Sequence, residues 1–403
     1  MPGGRLGSCL PGFSENLGVR PVRPIHIIYV SAGNGHRMAA RAIRESLDHR
    51  AVPNVVMDLL DFSSDLFKWS YSDVYAFVSE HSHLACRLMY DLTDKNREES
   101  AALRLFEKIT IENVRKFMRY ISENEPGVCV CTHYFPLNVL SRMKDEGLYK
   151  GDLYTVITDF GLRRMWVKDC VDRYFISGDR VLRGLLALGV PREKISVTGI
   201  PVSRKFASLK AAPRDFAKKR PSVLFVASSI PNILVLDILA ALSDSGHAMD
   251  VTVVTGRNRD LMTDLQNIAA GGRITLNILG FVDNLEELMA GASVMITKPG
   301  GLTVSEALCA GVPMILVNPI PKQETKNSAY LQEKGAGILA RTAGDVGKII
   351  RRLFNDRPVL SEMERAAYSI AYPGAADDVA TAVLQREGER KAQRGVKGEG
   401  SPL

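Results

Sequence analysis

The chain has 403 residues, 46% hydrophobic and 24% charged, with 52 Lys and Arg against 45 Asp and Glu and a formal net charge of +7. That length suits two ordinary domains, and the composition excludes both a wholly disordered chain and a membrane-embedded body. No apolar run reaches the roughly 20 residues of a spanning helix, and the mild positive excess suits anionic lipid, a nucleotide diphosphate or RNA without choosing among them.

Residues 1–24 hold Gly and Pro but no apolar core followed by a small-residue cleavage site, so they read as a disordered leader and not a secretory signal. The first strand is expected at Ile25–Ser31, an unbroken apolar run of the kind found in sheets covered on both faces. Gly33-Asn34-Gly35 turns the chain into a helix from about His36 to Leu47, with Met38, Ala39, Ala42, Ile43 and Leu47 at helical spacing. A second strand at Val55–Leu59 completes a βαβ unit and implies a parallel sheet. Residues 62–95 break the alternation and are rich in aromatics, among them Phe62, Trp69, Tyr71, Tyr75 and Tyr90. Strands resume at Val128–Thr132, Leu153–Thr158, Tyr174–Ser177 and Ile195–Thr198. Of the six cysteines none forms a CxxC pair, and Cys129 and Cys131 alternate within an apolar strand, which reads as buried thiols in a reducing compartment.

Residues 207–221, with Ala, Pro and Lys210, Arg214, Lys218, Lys219 and Arg220, read as an interdomain linker. A second series follows, with strands expected at Ser222–Ala227, Asp250–Thr255, Ile274–Leu279, Val294–Thr297, Met314–Val317 and Ala336–Leu339. The fold class is therefore α/β: two doubly wound, Rossmann-like domains, 25–206 and 222–369, facing a central cleft, with ligands at the carboxyl ends of the strands. A helix at about 370–386 is expected to pack back on the first domain, and the polar residues 387–403 read as a disordered tail.

Four segments carry the chemistry. Gly33 and Gly35 let the backbone approach a ligand at a strand-to-helix turn, and His36 stands at the cleft mouth, where a near-neutral imidazole suits a general base. Thr158-Asp159-Phe160 ends a strand; Asp159 is a second base, an orienting partner for His36 or a plain Asx cap. Lys298-Pro299-Gly300-Gly301-Leu302-Thr303 opens a helix whose free N–H groups can hold a diphosphate, and Glu306 one turn on either binds ribose hydroxyls or offsets the helix dipole. The polar loop Pro319–Asn327 brings Gln323, Glu324 and Asn327 to a strand end, where they can bind sugar hydroxyls or simply face solvent. Residues 62–90 are either an interfacial surface or a helical insertion packed on its own domain.

The segments SAGNGH with RMAARAI, TDF with the following Trp166, VTGIPV, KPGGLTVSEAL and PIPKQETKNSAYL stand in the order seen in the processive diacylglycerol glycosyltransferases and monogalactosyldiacylglycerol synthases, of glycosyltransferase family 28, and the chain resembles that family from about residue 25 to 385. The enzyme that adds N-acetylglucosamine to the lipid-linked peptidoglycan precursor is a looser match. The resemblance implies a GT-B fold and inverting, metal-independent transfer of a hexose, glucose or galactose, from a UDP-sugar to diacylglycerol or a related lipid, at the cytoplasmic face of the cell membrane. It implies no cofactor and no bound metal, and the scattered basic residues, with no aromatic-interleaved motif, argue against a nucleic-acid partner. The resemblance makes His36 the base, and the position of Asp159 at a strand end adds that residue as its helper. It makes Glu306 the ribose ligand and puts Gly300, Gly301, Thr303, Gln323 and Glu324 beside the diphosphate and sugar; the candidate UDP-sugar set adds Gly33, Gly35, Ser228, Ser229, Gly256, Arg257, Phe281, Lys298 and Asn327, and the candidate acceptor and membrane set is Trp69, Tyr71, Tyr75, Arg163 and Trp166. Two departures stand out: Arg163 where the family commonly has His, and Ser228–Asn232 where it has a glycine-rich turn. They leave open a different acceptor, such as a polyprenyl-linked or secondary-metabolite alcohol, or a non-catalytic nucleotide- or lipid-binding role.

Overall fold

The structure is a computed structural model that describes residues 23–31, 33–71, 112–209, 214, 216, 220–267, 273–320 and 323–398, with side chains to residue 386. Tyr75 and Tyr90, the leader up to residue 22, and Lys210, Lys218 and Lys219 lie outside these residues. In the first half the strands are β1 (Ile25–Tyr29), β2 (Asn54–Asp58), β3 (Val128–Cys131), β4 (Asp152–Val156), β5 (Arg173–Ile176) and β6 (Ile195–Val197). In the second they are β7 (Ser222–Val226), β8 (Met249–Val254), β9 (Ile274–Leu279), β10 (Val294–Thr297), β11 (Met314–Leu316) and β12 (Gly337–Leu339). Each set forms one six-stranded sheet, ordered β2-β1-β3-β4-β5-β6 and β12-β11-β10-β7-β8-β9, and every strand pairing in both is parallel.

The apolar strand runs are explained by cover on both faces. Ile25 and Ile27 face one cluster with Val128, Val130 and Phe175, while Ile28, Cys129 and Cys131 face another. Cys129 and Cys131 are fully buried, and burial pushes the Cys129 thiol up to about 12, so it stays a protonated, inert core residue. The second sheet is covered in the same way, but one of its clusters crosses the chain's midpoint: Phe160, Ile200, Val202 and Phe206 of the first half pack with Leu302, Val304 and Tyr330 of the second.

Chain order places the ligand crevices. In the first sheet the winding reverses between β1 and β3, and in the second between β7 and β10. Loops leaving the carboxyl ends of such neighbouring strands diverge to opposite faces and leave a gap for a ligand. Gly33–His36 and Thr132–His133 follow β1 and β3; Ser228–Ser229 and Lys298–Gly301 follow β7 and β10.

Two readings from the sequence need correction. Helix Ala375–Gly398 extends through most of the tail expected to be disordered, because its Glu, Lys, Arg, Gln and Ala residues are strong helix formers even without an apolar stripe. Its first turns lie on the first domain, with Val379, Ala380 and Val383 buried against Ile43 and Leu47, and with Asp377 held by Ser46, Arg50 and Arg204. Arg214, read as a linker charge, has a side chain only 7% exposed. It donates to the carbonyls of Met289, Ala292, Ala310 and Gly311 and pairs with Glu364 at 2.7 Å, so it closes the carboxyl ends of two helices at once.

Candidate active site

The helix Asn34–His49 begins immediately after Gly33, whose φ of +92° is open to glycine and costly for other residues. This start carries His36 to the switch point of the first sheet. The Nδ1 of His36 lies 2.8 Å from the Thr132 carbonyl oxygen and 2.9 Å from the Thr158 hydroxyl. A carbonyl only accepts, so the proton is assigned to Nδ1, which leaves Nε2 as the basic nitrogen. The Thr132 hydroxyl in turn donates to the His36 carbonyl at 2.9 Å, which ties the helix to the end of β3. Burial holds the His36 imidazole down at about 4, partly offset by the Thr132 carbonyl, in place of the near-neutral value expected. It is therefore neutral, with its lone pair available, throughout the physiological range.

Asp159 does not orient His36. Its two oxygens accept from the Gln323 and Asn327 amides across the interdomain cleft, at 3.0 and 3.2 Å. Burial pushes its carboxyl up to about 6, against the opposing effect of the Asn327 amide. Sequence reasoning gave no role in holding His36 to Thr132 and Thr158, which do so, or to His133, whose ring meets His36 edge-on at 4.5 Å between centroids. His133 caps the helix Tyr134–Asp145 by accepting from the Phe135 N–H at 3.1 Å. A polar residue just past an apolar strand was the available signal for all three.

On the facing domain the helix Gly301–Cys309 has Gly300 at its cap position and no side chain satisfying its first N–H groups. That end is a ready anion site. Lys298 stands beside it, 3.5 Å from the Glu324 carboxylate, which also accepts from the Ile320 N–H at 2.7 Å. Thr303 is half-buried on the first turn. Glu306 is 9% exposed, and no hydrogen bond or ion pair to the described residues engages its carboxylate. Burial, with a contribution from Glu286, pushes that carboxyl up to about 8. A mostly buried carboxyl with no protein hydrogen-bond partner, one turn from an anion site, is suited to a pair of hydroxyls.

The remaining donor-side residues form a wall at the ends of β7, β8 and β9. Gly256, with φ of +62°, lies so close to Ser228 that a Cβ there would come within 2.8 Å of the Ser228 Cβ. Arg257 covers the Phe281 ring at 5.7 Å, and Phe281 is 66% exposed, an open aromatic face. In the turn Ser228–Asn232 both serines are exposed, while Ile230 is buried and helix Asn232–Ser243 follows at once.

The acceptor-side expectations divide. Trp69 is 58% exposed on the helical residues 65–71, and Leu66, which sequence reasoning passed over, is 73% exposed on the same turn pair. Tyr71 instead faces inward, stacked on Phe135 at 5.1 Å with its hydroxyl 3.1 Å from that of Tyr134. Trp166 is 2% exposed and belongs to the core of the first domain, so it cannot meet a membrane. Arg163 is half-buried over the Tyr134 ring at 5.7 Å. Among the described residues no helix is long and apolar enough to cross a membrane, and no group of three or more His, Cys, Asp or Glu side chains converges as a metal set would.

Comparison with known proteins assigns both halves. Residues 36–202 match the monogalactosyldiacylglycerol (MGDG) synthase family, and residues 228–378 match the glycosyltransferase family 28 C-terminal domain. The processive diacylglycerol beta-glucosyltransferase of Bacillus thuringiensis is 30% identical over 371 residues, covering 89% of this chain and 92% of that protein. Among solved structures, MurG of Acinetobacter baumannii superposes with a TM-score of 0.60 at 19% identity, covering 90% of this chain and all of that one. The calicheamicin glycosyltransferase CalG4 superposes with a TM-score of 0.56 at 15% identity, over 90% of this chain and 99% of that one. These two likenesses establish the GT-B fold. With its two facing parallel sheets and both family regions in order, the chain belongs to the monogalactosyldiacylglycerol synthase and processive diacylglycerol glycosyltransferase family and is a glycosyltransferase.

Proposed function

We propose that the protein makes a glycolipid by inverting, metal-independent transfer of a hexose from a UDP-sugar to diacylglycerol or a closely related lipid at a membrane surface. The observation that carries this reading is the His36 imidazole, held through Nδ1 by the Thr132 carbonyl with Nε2 as the basic nitrogen, across the cleft from the uncapped N-terminus of Gly301–Cys309. The acceptor hydroxyl gives its proton to Nε2 as its oxygen attacks the anomeric carbon. The bond from that carbon to the diphosphate oxygen breaks, and UDP leaves with its charge toward the helix N-terminus. Attack and departure on opposite sides of one carbon invert the anomeric centre. Glu306 takes the ribose hydroxyls, Phe281 and Arg257 flank the base, Ser228, Ser229 and Gly256 line its wall, Lys298, Gly300, Gly301 and Thr303 meet the diphosphate, and Gln323, Glu324 and Asn327 border the sugar. Leu66 and Trp69 rest on the bilayer. The names of the sequence relatives, processive diacylglycerol beta-glucosyltransferases, support the lipid acceptor and favour glucose.

The test supplies purified protein with UDP-glucose, UDP-galactose and UDP-N-acetylglucosamine, diacylglycerol in anionic vesicles and a chelator, and identifies lipid products by mass. A hexosyl-diacylglycerol is expected from the wild type. His36→Ala is expected to turn over on the order of a hundredfold more slowly while binding UDP as the wild type does. UDP binding with no lipid product from any donor, or full turnover by His36→Ala, would sink the assignment.

A further inference from the structure

Three consecutive residues after β4 reach both halves of the site. The Thr158 hydroxyl lies 2.9 Å from His36 Nδ1, where it joins the Thr132 carbonyl in receiving the proton. The Thr158 carbonyl packs against Gly301 so closely that any Cβ there would collide with it. Asp159 accepts from the side-chain amides of both Gln323 and Asn327. The Phe160 N–H donates to the Asn327 side-chain oxygen at 2.8 Å, and the Phe160 ring stacks on Tyr330 at 4.9 Å.

Asn327 is the counterpart on the other domain. It is 0% exposed, and its amide nitrogen is shared between Asp159, at 3.2 Å, and the Pro299 carbonyl, at 3.0 Å. Pro299 immediately precedes the glycine pair at the anion site. One buried amide therefore joins the acceptor domain to the start of the donor helix, and Gln323 joins it to the sugar loop. Only a side chain that accepts at both oxygens can receive two amide N–H groups in this way; an amide in its place offers one acceptor and one competing donor. A buried site leaves no water to make up the difference.

We propose that Asp159 is a positioning residue for the donor: by holding Gln323 and Asn327 it sets the register between the His36 base and the sugar and diphosphate subsites. The proposal rests on the donor reading of Gln323 and of Gly300–Gly301 given above. The peptide 158–160 then acts as a single spacer. Its first residue steadies the base, and its second and third hold the donor loop, so the two reacting groups meet at one distance when the cleft is closed. The role is distinct from proton transfer, because no hydrogen bond links Asp159 to His36.

The experiment compares the wild type with Asp159→Asn, Asn327→Asp and the double exchange Asp159→Asn/Asn327→Asp. It reads kcat, KM for donor and lipid, UDP affinity by calorimetry and folding by circular dichroism. Asp159→Asn is expected to raise donor KM about tenfold, the scale of one hydrogen bond to a charged group, with lipid KM within about twofold. Asn327→Asp, which sets two carboxylates against each other, is expected to do at least as much. The double exchange restores a donor–acceptor pair between positions 159 and 327 but leaves the Pro299 carbonyl without its donor, so donor KM is expected to fall below that of Asn327→Asp without returning to the wild-type value. A merely structural role would not give reciprocal, donor-specific rescue. Donor KM unchanged in a folded Asp159→Asn, or no recovery in a folded double exchange, would overturn the proposal. If Asp159→Asn does not fold, Asn327→Asp and the double exchange decide in the same way. A wild type that does not bind UDP would refute the donor reading itself.

Discussion

At Glu306 the proposed contact with ribose and the stability of the fold pull in opposite directions. The carboxyl is nearly enclosed and unengaged, and burial with the nearby Glu286 pushes it up from the ordinary 4.5 to about 8. A raised value means that between those pH values the folded protein holds a proton that the unfolded chain has released. The associated stability is fully present below pH 4.5 and is lost as the pH rises through about 8. Glu306→Gln removes this loss. The variant is expected to show a flatter fall in unfolding temperature between pH 5 and pH 9 than the wild type, measured by scanning fluorimetry without ligand. Its UDP affinity at pH 9, where the wild-type carboxyl is ionised, is expected to drop about tenfold, since a charge-assisted pair of hydroxyl contacts is replaced by neutral ones. Parallel pH curves for the two proteins would show that the carboxyl is satisfied in some other way.

At the scale of elements, the helix Gly301–Cys309 is tied to its surroundings at both ends. Its carboxyl end is closed by Arg214, and its amino end abuts the Thr158 carbonyl of the other domain. The two glycines that open it are not equivalent. A Cβ at Gly300 would meet only the Glu324 carboxylate, at 3.7 Å, in ordinary contact, whereas one at Gly301 would collide with backbone. Backbone cannot swing aside as a side chain tip can, so Gly301→Ala must separate the domains locally. We expect kcat/KM to fall on the order of a hundredfold, as misplacements near 1 Å do, together with an increased radius of gyration in small-angle scattering. An unchanged radius with unchanged kcat/KM would mean that the domains operate further apart than this.

At the scale of the whole molecule, both domains present their strand ends to one cleft, and the helical residues 65–71 approach His36 through Tyr71, which meets His133, the ring neighbour of His36, at 6.5 Å between ring centroids. Leu66 and Trp69, on this stretch, are both exposed apolar side chains. Together with a net charge of +7 they suit an anionic bilayer. Leu66→Ser/Trp69→Ser is expected to weaken sedimentation with phosphatidylglycerol vesicles by roughly tenfold, the loss of a few buried apolar side chains, and added salt is expected to weaken the remainder. Unchanged sedimentation would overturn the proposed contact through Leu66 and Trp69.

Much of this protein is legible in its sequence because the relevant physics is local. Unbroken apolar runs mark strands covered on both faces, glycines mark strand-to-helix turns, and β10 and β9 begin and end where the pattern places them. The same locality identifies His36 and the Gly300–Gly301 helix as chemically suited groups. What a side chain faces is not local. Trp166 and Tyr71 carry the composition of an interface, yet tertiary packing turns both inward. Asp159 lies three residues past the end of β4, as a catalytic carboxylate would, but its partners Gln323 and Asn327 are 164 and 168 residues away. The value at which His36 or Glu306 titrates likewise depends on how much water the folded cleft excludes. The sequence by itself determined the two α/β domains, the turns and the reactive residue types. Only the tertiary structure decided their partners, their exposure and their protonation, because these depend on segments brought together from distant parts of the chain.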